Sequence, residues 1–181
     1  MSRIGRKPID IPAGVTVTVD DKNLVTVTGK LGTLSQQVAP IITVKVEGNQ
    51  VVLTRPNDQG PVKAKHGLYR MLVANMVTGV SEGFKKALDV NGVGYKVQKT
   101  GNKVVMNIGY SHPVDVVEEE GITLDCPNAN QIVVSGISKE KVGQVAAMIR
   151  SIKPVEPYHA YGIKYSEEVV IKKVGKVSGK K

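Results

Sequence analysis

The sequence predicts an α+β protein with two similar domains that arose by internal duplication, followed by a basic C-terminal extension. Apolar and polar residues alternate along much of the first sixty residues, as they do in half-buried strands. Apolar residues then recur at helical spacing, and the same order of strands followed by a helix returns in the second half of the chain. Each domain is therefore expected to be a mostly antiparallel sheet packed by one helix. A single larger mixed sheet is the alternative.

Strand signals dominate the first repeat. Valine alternates with threonine or aspartate over residues 15–20 and with threonine over 25–28, which predicts strands with one apolar face. The apolar segments 42–46 and 51–53 flank the turn-like sequence 47–50 and predict a hairpin.

A helix is expected after this hairpin, from about Pro61 to Val77, because proline suits a first helical position. Its apolar stripe is predicted to consist of Leu68, Met71, Leu72 and Met76. Lys63, His66 and Arg70 are expected to lie largely on the other faces of this helix. Small residues over 78–83 end the helix and mark the domain boundary.

The second repeat follows the same plan. Segments 95–97 and 104–106 flank a turn, and 122–124 precedes another polar turn. Asn130-Gln131-Ile132-Val133 echoes Asn49-Gln50-Val51-Val52, 81 residues earlier. Ser138 is a suitable N-cap for a helix with the apolar stripe Val142, Val145, Ala146, Ile149 and Ile152. The predicted domains are residues 1–81 and 82–152, and the extension is 153–181.

Positive charge is unevenly distributed along the chain. Lysine and arginine total 25 against 16 acidic residues, which gives a net charge of +9. Residues 1–80 carry a net charge of +5, residues 81–152 are neutral, and residues 153–181 carry +4. A basic terminal arm of this kind suggests contact with a polyanion, and a solvated tail that aids solubility is the alternative.

Composition disfavours several classes of protein. A single cysteine, Cys126, cannot form an internal disulfide or a two-cysteine metal site and is typical of a reducing compartment. The chain has no apolar run long enough for a membrane helix, and its first twenty residues do not resemble a signal peptide, so the expected location is the cytoplasm. With 4% aromatic residues, any nucleic-acid contact should be mainly ionic.

No catalytic or metal-binding pattern is recognisable in the sequence. Ser111 and His112 near Asp115 are triad residue types, but no nucleophile elbow surrounds them. The carboxylates of residues 118–120 alternate in direction along a strand and precede a glycine, so a solvated turn is expected. Cys126 has no basic neighbour in sequence and is expected to be an inert thiol. We therefore predict no enzyme, no metal and no cofactor.

Six blocks of sequence, spread over nearly the whole chain, carry a family signature. They are Met1-Ser2-Arg3-Ile4-Gly5 with Pro8-Ile9, the segment from His66-Gly67-Leu68 to Phe84, Gly92-Val93-Gly94-Tyr95, Gly109-Tyr110-Ser111-His112-Pro113, the segment from Val142 to Arg150, and Pro157-Tyr158 followed by Gly162-Ile163-Lys164-Tyr165. In this order the blocks resemble the bacterial large-subunit ribosomal protein L six family.

The resemblance implies two duplicated α+β domains and a structural role in translation. It implies binding to large-subunit (23S) ribosomal RNA near the factor-binding region, beside neighbouring large-subunit ribosomal proteins, with no membrane and no small-molecule substrate. Contact is expected chiefly in the second domain and the extension, where lysines touch phosphates and glycines let the backbone approach RNA. The implied RNA-binding residues are Gly92, Gly94, Tyr95, Ser111, His112, Tyr158, His159, Tyr161, Gly162, Lys164, Tyr165, Lys172, Lys173 and Lys176.

One motif departs from the family pattern. The family usually reads Pro-Tyr-Lys-Gly-Lys-Gly where this chain has Pro157-Tyr158-His159-Ala160-Tyr161-Gly162. In place of the two lysines, Tyr161 could stack on a base or ribose and His159 could hydrogen-bond a phosphate. Lys164 stands where the family commonly has arginine, which keeps the charge and loses bidentate geometry. Lysines further downstream are expected to compensate.

Two other classes of function remain open from the residues alone. One is a small basic enzyme that uses the region of His112 and Asp115. The other is a protein-interaction module whose basic tail binds an acidic partner.

Overall fold

The computed structural model describes residues 3–176, with the backbone alone at Arg3. Met1 and Ser2 of the first family block, and Lys180 and Lys181 of the basic extension, lie outside the described residues. The described chain divides into two compact units. The first runs to Phe84 and includes Ile137–Lys139, and the second comprises Lys85–Gly136 and the residues from Glu140 onward.

The first unit contains two three-stranded antiparallel sheets and one long helix. Its elements are α1 (Arg3–Arg6), β1 (Ile9–Asp10), β2 (Thr16–Val19), β3 (Leu24–Gly29), β4 (Gly32–Gln37), β5 (Thr43–Glu47), β6 (Gln50–Thr54) and α2 (Gly60–Ser81). The sheets have the strand orders β1-β6-β5 and β2-β3-β4. Val17 pairs with Val27 across β2 and β3, and both valines are buried. The valine–threonine alternation thus predicted this core face correctly, because side chains alternate between the two faces of a strand.

The predicted apolar stripe of α2 is wrong at Leu68 and Met71 and confirmed at Met76, which is buried. Leu68 is 55% exposed and Met71 is 38% exposed, whereas the packed face includes His66, Val73 and Val80. Apolar residues surround much of this helix, so their spacing alone did not identify the buried side. The buried imidazole of His66 is tolerated because both of its ring nitrogens are hydrogen-bonded.

The hydrogen bonds of His66 determine its tautomer. Arg55 Nη1 lies 3.0 Å from His66 Nδ1, and an arginine can only donate, so Nδ1 accepts. The proton is therefore on Nε2, which donates to the Leu53 carbonyl at 2.9 Å. The ring ties the helix to the strand that precedes it.

Replacing His66 with alanine is expected to lower the free energy of unfolding by roughly 1 to 3 kcal/mol, because Arg55 and the Leu53 carbonyl both lose a buried partner. Amide hydrogen exchange resolves the opening of the first unit within the full chain and is the measurement of choice. Leu68→Ala, on the exposed side of the same helix, is the matched control and should change the value by less than about 0.5 kcal/mol. A larger effect of the Leu68 variant would contradict the assignment of the buried face.

The second unit has the same arrangement, except that its second sheet has four strands. Its elements are β7 (Phe84–Asn91), β8 (Lys96–Thr100), β9 (Lys103–Asn107), β10 (Val114–Val117), β11 (Ile122–Asn128), β12 (Gln131–Gly136), α3 (Lys139–Ile152) and β13 (Gly162–Tyr165). The strand orders are β10-β9-β8 and β11-β12-β7-β13. The predicted stripe of α3 is confirmed for its four buried members, Val142, Val145, Ala146 and Ile149.

The strand β13 joins the chain after α3 to a sheet of the second unit. It pairs antiparallel with β7, with Ile163 opposite Val90 and Tyr165 opposite Leu88. Ile163, Val90 and Leu88 are fully buried. The first part of the predicted extension, residues 153–165, therefore includes an edge strand of a sheet.

The predicted fold class is confirmed. The protein is α+β, with two similar units in which antiparallel strands pack with one long helix. Within residues 3–176 the strands form four separate sheets and not the single larger mixed sheet that was the alternative. Among residues 3–176, none of the helices combines the length and apolar character needed to cross a membrane.

Candidate nucleic-acid interface

The predicted RNA-binding residues all lie in the second unit, in three segments of chain. Residues 92–95 follow β7, residues 108–113 connect β9 to β10, and the remaining positions follow α3. The structure brings the first two segments together and gathers a group from the third around one groove.

Tyr95 joins the first two segments. A side-chain carbon at Gly92 would lie 2.4 Å from the Tyr95 ring, and one at Gly109 would lie 3.0 Å from it. The absence of a side chain at these two glycines thus leaves room for the aromatic ring. Gly94 has open space around it, so a close approach of a partner's backbone is sterically possible there.

Tyr110 connects the second segment to the end of α3. Its hydroxyl donates to the Ile152 carbonyl at 2.7 Å, and the Lys153 ammonium lies 4.6 Å from the centre of its ring. Sequence reasoning did not assign Tyr110 a role, although it lies inside a family block. The contact supports the exposed residues Ser111 and His112, which follow it directly.

The triad residue types around His112 do not assemble into a catalytic site. Ser111 Oγ lies 3.4 Å from His112 Nδ1, but the Asp115 carboxylate accepts a hydrogen bond from Lys103 Nζ at 2.6 Å. In the described part of the chain, no group of three histidine, cysteine or acidic side chains could hold a metal ion. Burial raises the pKa of the Cys126 thiol, which disfavours the reactive thiolate.

The solvated turn predicted for residues 118–120 is wrong at Glu118. Its carboxylate accepts hydrogen bonds from Lys99 Nζ at 3.0 Å and from the Leu124 N–H at 2.8 Å. The hydrogen bond from Lys99 is the largest cause that holds the pKa of Glu118 below its usual value, and the bond from the Leu124 N–H acts in the same direction. The side chain closes a turn within the second unit. Glu119 and Glu120 are exposed, as expected.

Glu156 organises the loop that departs from the family motif. Its carboxylate accepts hydrogen bonds from the backbone N–H groups of Tyr158, His159 and Tyr161. Burial acts to raise the pKa of Glu156, but these three N–H donors outweigh it and hold the pKa below its usual value. The rings of His159 and Tyr161 stack on each other, with centroids 5.3 Å apart and an interplanar angle of 19°.

Tyr165 and Lys164 on β13 are half-buried and already engaged within the second unit. Lys86 and Arg150 lie 5.2 and 5.6 Å from the centre of the Tyr165 ring. Lys164 Nζ lies 3.9 Å from the Asp89 carboxylate. Gly162 is buried, so its part at the site is to support the loop.

Glu168 neutralises Arg150 beside this strand. The carboxylate accepts two hydrogen bonds from the Arg150 guanidinium and one from the Tyr165 N–H at 3.1 Å. The guanidinium contact is the largest cause that holds the pKa of Glu168 below its usual value of 4.5. The same contact raises the pKa of Arg150.

The Glu168→Gln variant is expected to lose stability at pH 7 and not in acid. The folded-state pKa of Glu168 is lowered, so its contribution is present above pH 4.5 and is lost as pH falls through the lowered value. The pair is partly exposed, so the loss at pH 7 should be at most about 1 kcal/mol. Hydrogen exchange of the β13 amides between pH 7 and about pH 3 measures it. The exposed Glu119→Gln is the control, and a difference from the native protein that grows in acid would contradict the assignment.

Four of the predicted residues line one open groove of about 520 Å³. These are His159, Tyr161, Lys164 and Lys172, and Asn91 lines the same groove. Sequence reasoning missed Asn91, which ends β7, because only the pairing of β7 with β13 brings it here. The carboxylates of Glu167 and Glu168 also line the groove. Each carries a cationic partner, Lys86 and Arg150 respectively, so the acidic residues on this face are locally neutralised.

The lysines that follow the groove are accessible. Lys172, Lys173 and Lys176 are all exposed. Within residues 3–176, no carboxylate forms an ion pair with them. The Lys173 N–H donates to the Pro157 carbonyl at 2.8 Å, which holds this segment beside the Glu156 loop. Lys172 thus lines the groove with the two exposed rings, and Lys173 and Lys176 follow it in the chain.

Comparison with known proteins identifies the family. A family model described as ribosomal protein L6 matches residues 11–83 and 91–166. The chain belongs to the ribosomal protein L6 family. This confirms the resemblance read from the six blocks and the prediction of a structural ribosomal protein rather than an enzyme. The two matched stretches of the L6 family fall largely in the first and the second unit.

Relatives in this family match over nearly their whole length. The chain is 54% identical to large ribosomal subunit protein uL6 of Exiguobacterium sibiricum over 176 residues, which cover 97% of this chain and 98% of the relative. It is 52% identical to the protein of the same name from Caldicellulosiruptor bescii, with complete coverage of both chains. The uL6 protein of Mesoplasma florum is 52% identical over 99% of this chain and 100% of its own.

Proposed function

We propose that this member of the L6 family is a structural constituent of the large ribosomal subunit that binds 23S ribosomal RNA near the factor-binding region and stabilises its tertiary structure during translation in the cytoplasm. The observation that supports it is the exposed Lys172 in a groove lined by His159 and Tyr161, with the exposed Lys173 and Lys176 next along the chain. Its relatives are named as proteins of the large ribosomal subunit, which supports the same assignment.

The proposed RNA contact divides into positioning and selection. Lysines of the extension, residues 153–181, bind phosphates and fix the position of the protein without reading sequence. The loops of the second domain, residues 82–152, present Tyr95, Ser111 and His112 and select the RNA site by shape. Gly162 supports the loop from inside. The first domain, residues 1–81, has the smaller share of the contact.

The proposed binding is mainly ionic and therefore sensitive to salt. Neutralising about 5 to 7 phosphates makes log affinity fall with log salt at a slope of roughly 4 to 6. Neighbouring large-subunit proteins complete the proposed environment. A flat salt response would contradict this mode of binding.

Co-sedimentation with large ribosomal subunits tests the proposal. The tagged chain is compared with a version that ends after Val170, because an end directly after α3 would remove β13 and its buried Ile163. The full chain should stay with the large subunit through a moderate salt wash, and the shortened chain should be lost. Release of the full chain to the top of the gradient would overturn the proposal. Ribonuclease treatment separates an RNA partner from an acidic protein partner, which would survive it.

The location on the subunit has its own test. Large subunits reconstituted with and without the protein are compared by chemical footprinting of the 23S RNA. Protection within the factor-binding region is expected. Protection confined to another region would contradict the location and leave the RNA contact in place.

A further inference from the structure

The stacked rings of His159 and Tyr161 are exposed at the surface of the loop. The side chain of His159 is 70% exposed and Tyr161 is 40% exposed. Neither residue belongs to the buried core, and solvent reaches both rings. The pair is an aromatic stack that is already formed and partly accessible to solvent.

The backbone of the loop is constrained to hold the two rings together. Ala160, which lies between them, has a φ of +63°, a left-handed conformation that non-glycine residues rarely adopt. Residues in such conformations persist only where their surroundings fix them. Here Glu156 accepts hydrogen bonds from the N–H groups on both sides of Ala160, and its own N–H donates to the Tyr161 carbonyl at 3.0 Å.

The chemistry around the rings matches that of a nucleotide. Asn91, Lys164 and Lys172 also line this groove. An aromatic ring stacks on a base, an amide hydrogen-bonds to a base edge, and an ammonium neutralises a phosphate. A base within a duplex has both faces covered by its neighbours, so only an unpaired base offers a face to these rings.

We propose that the His159–Tyr161 stack is a platform for an unpaired nucleobase of RNA. The inference rests on the proposed RNA-binding function and adds the class of RNA segment that this groove takes, a single strand, bulge or loop. Stacking involves no fixed charge, so this contact raises affinity without steepening the dependence on salt. The exposed lysines provide the ionic part of binding, and the rings provide the preference for unpaired RNA.

The test uses the full chain and two RNA probes of about ten nucleotides, a single-stranded adenosine oligomer with one 2-aminopurine and a duplex of equal length. Tyr161→Ala is expected to lower affinity for the single strand about 5- to 100-fold, with no change in the salt slope and no loss on the duplex. It should also lose the quenching of 2-aminopurine fluorescence that ring stacking causes. Tyr161→Phe keeps the ring and is the matched control, expected to bind and quench like the native protein.

Further variants separate a loss of ring stacking from a loss of folding or of charge. His159→Ala leaves Tyr161 intact and should weaken single-strand binding in the same direction, while hydrogen exchange of β13 verifies that the loop variants remain folded. Equal binding by the alanine and phenylalanine variants at 161, or equal losses on single strand and duplex, would overturn the platform. Alanine at Lys172, Lys173 and Lys176 should weaken binding to both probes. Failure of the native chain to bind the single strand at low salt, while it still sediments with large subunits, would overturn the platform and leave the RNA-binding function in place.

Discussion

Replacing Lys172, Lys173 and Lys176 together with alanine is expected to weaken binding to a large-subunit RNA fragment roughly 50- to 150-fold at about 0.15 M salt. Each ammonium is exposed and has no carboxylate partner among residues 3–176, so each is available to displace counterions from a phosphate. The slope of log affinity against log salt should also fall by about 2 to 3. Fluorescence anisotropy across a series of potassium chloride concentrations measures both quantities.

A second triple variant separates the position of the charge from its amount. Alanine at Lys22, Lys30 and Lys45 removes the same charge from exposed positions of the first unit. Its affinity should stay within a few-fold of the native value, because these lysines contribute only to the long-range field. Equal losses for the two triple variants would show that net charge, and not the extension, drives binding.

The sequence predicted the buried face correctly in those elements where a single hydrophobic period runs along the strand or helix. Val17 and Val27 are buried as their alternation required, and Ile149 is buried as the stripe of α3 required. The buried face of α2 was predicted only at Met76, because apolar side chains cover several sides of this helix. His66 is buried there through partners on the preceding strand and loop, and hydrogen bonds of this kind leave no periodic signal.

The candidate site was predicted where its residues are close in sequence. His159, Tyr161, Lys164 and Lys172 line one groove because a single loop and the strand after it carry three of them. Asn91 joins the groove through the pairing of β7 with β13, and no local pattern indicates a partner about seventy residues away.

The role of individual residues was harder to predict than their position. Gly92 was expected to admit RNA, whereas it also makes room for the ring of Tyr95. Glu156 was not assigned a role, since its contacts are with backbone groups of the loop that it organises. Such assignments need the course of the backbone, which residue types and spacing do not give.

Gly162→Ala is expected to cost about 3 kcal/mol or more in the stability of the second unit, the largest effect of any single substitution considered for the fold. Gly162 has a φ of +138°, a conformation that side chains disfavour. A side-chain carbon there would lie 2.7 Å from the Pro154 carbonyl oxygen and 2.7 Å from the Val155 Cα atom. Both are backbone atoms, so relief requires the chain to move away from the start of β13.

Hydrogen exchange of the amides in β7 and β13 measures this loss within the full chain, because the register of these strands begins with Gly162 opposite Asn91. Gly143→Ala is the matched control in the same unit. A side chain at Gly143 meets nothing within 4 Å on the exposed side of α3, so this variant should gain about 0.5 to 1 kcal/mol. Because the Glu156 loop precedes Gly162 directly, the Gly162 variant should also weaken RNA binding. Weakened binding with unchanged exchange protection would show that Gly162 acts on the RNA directly and not through the fold.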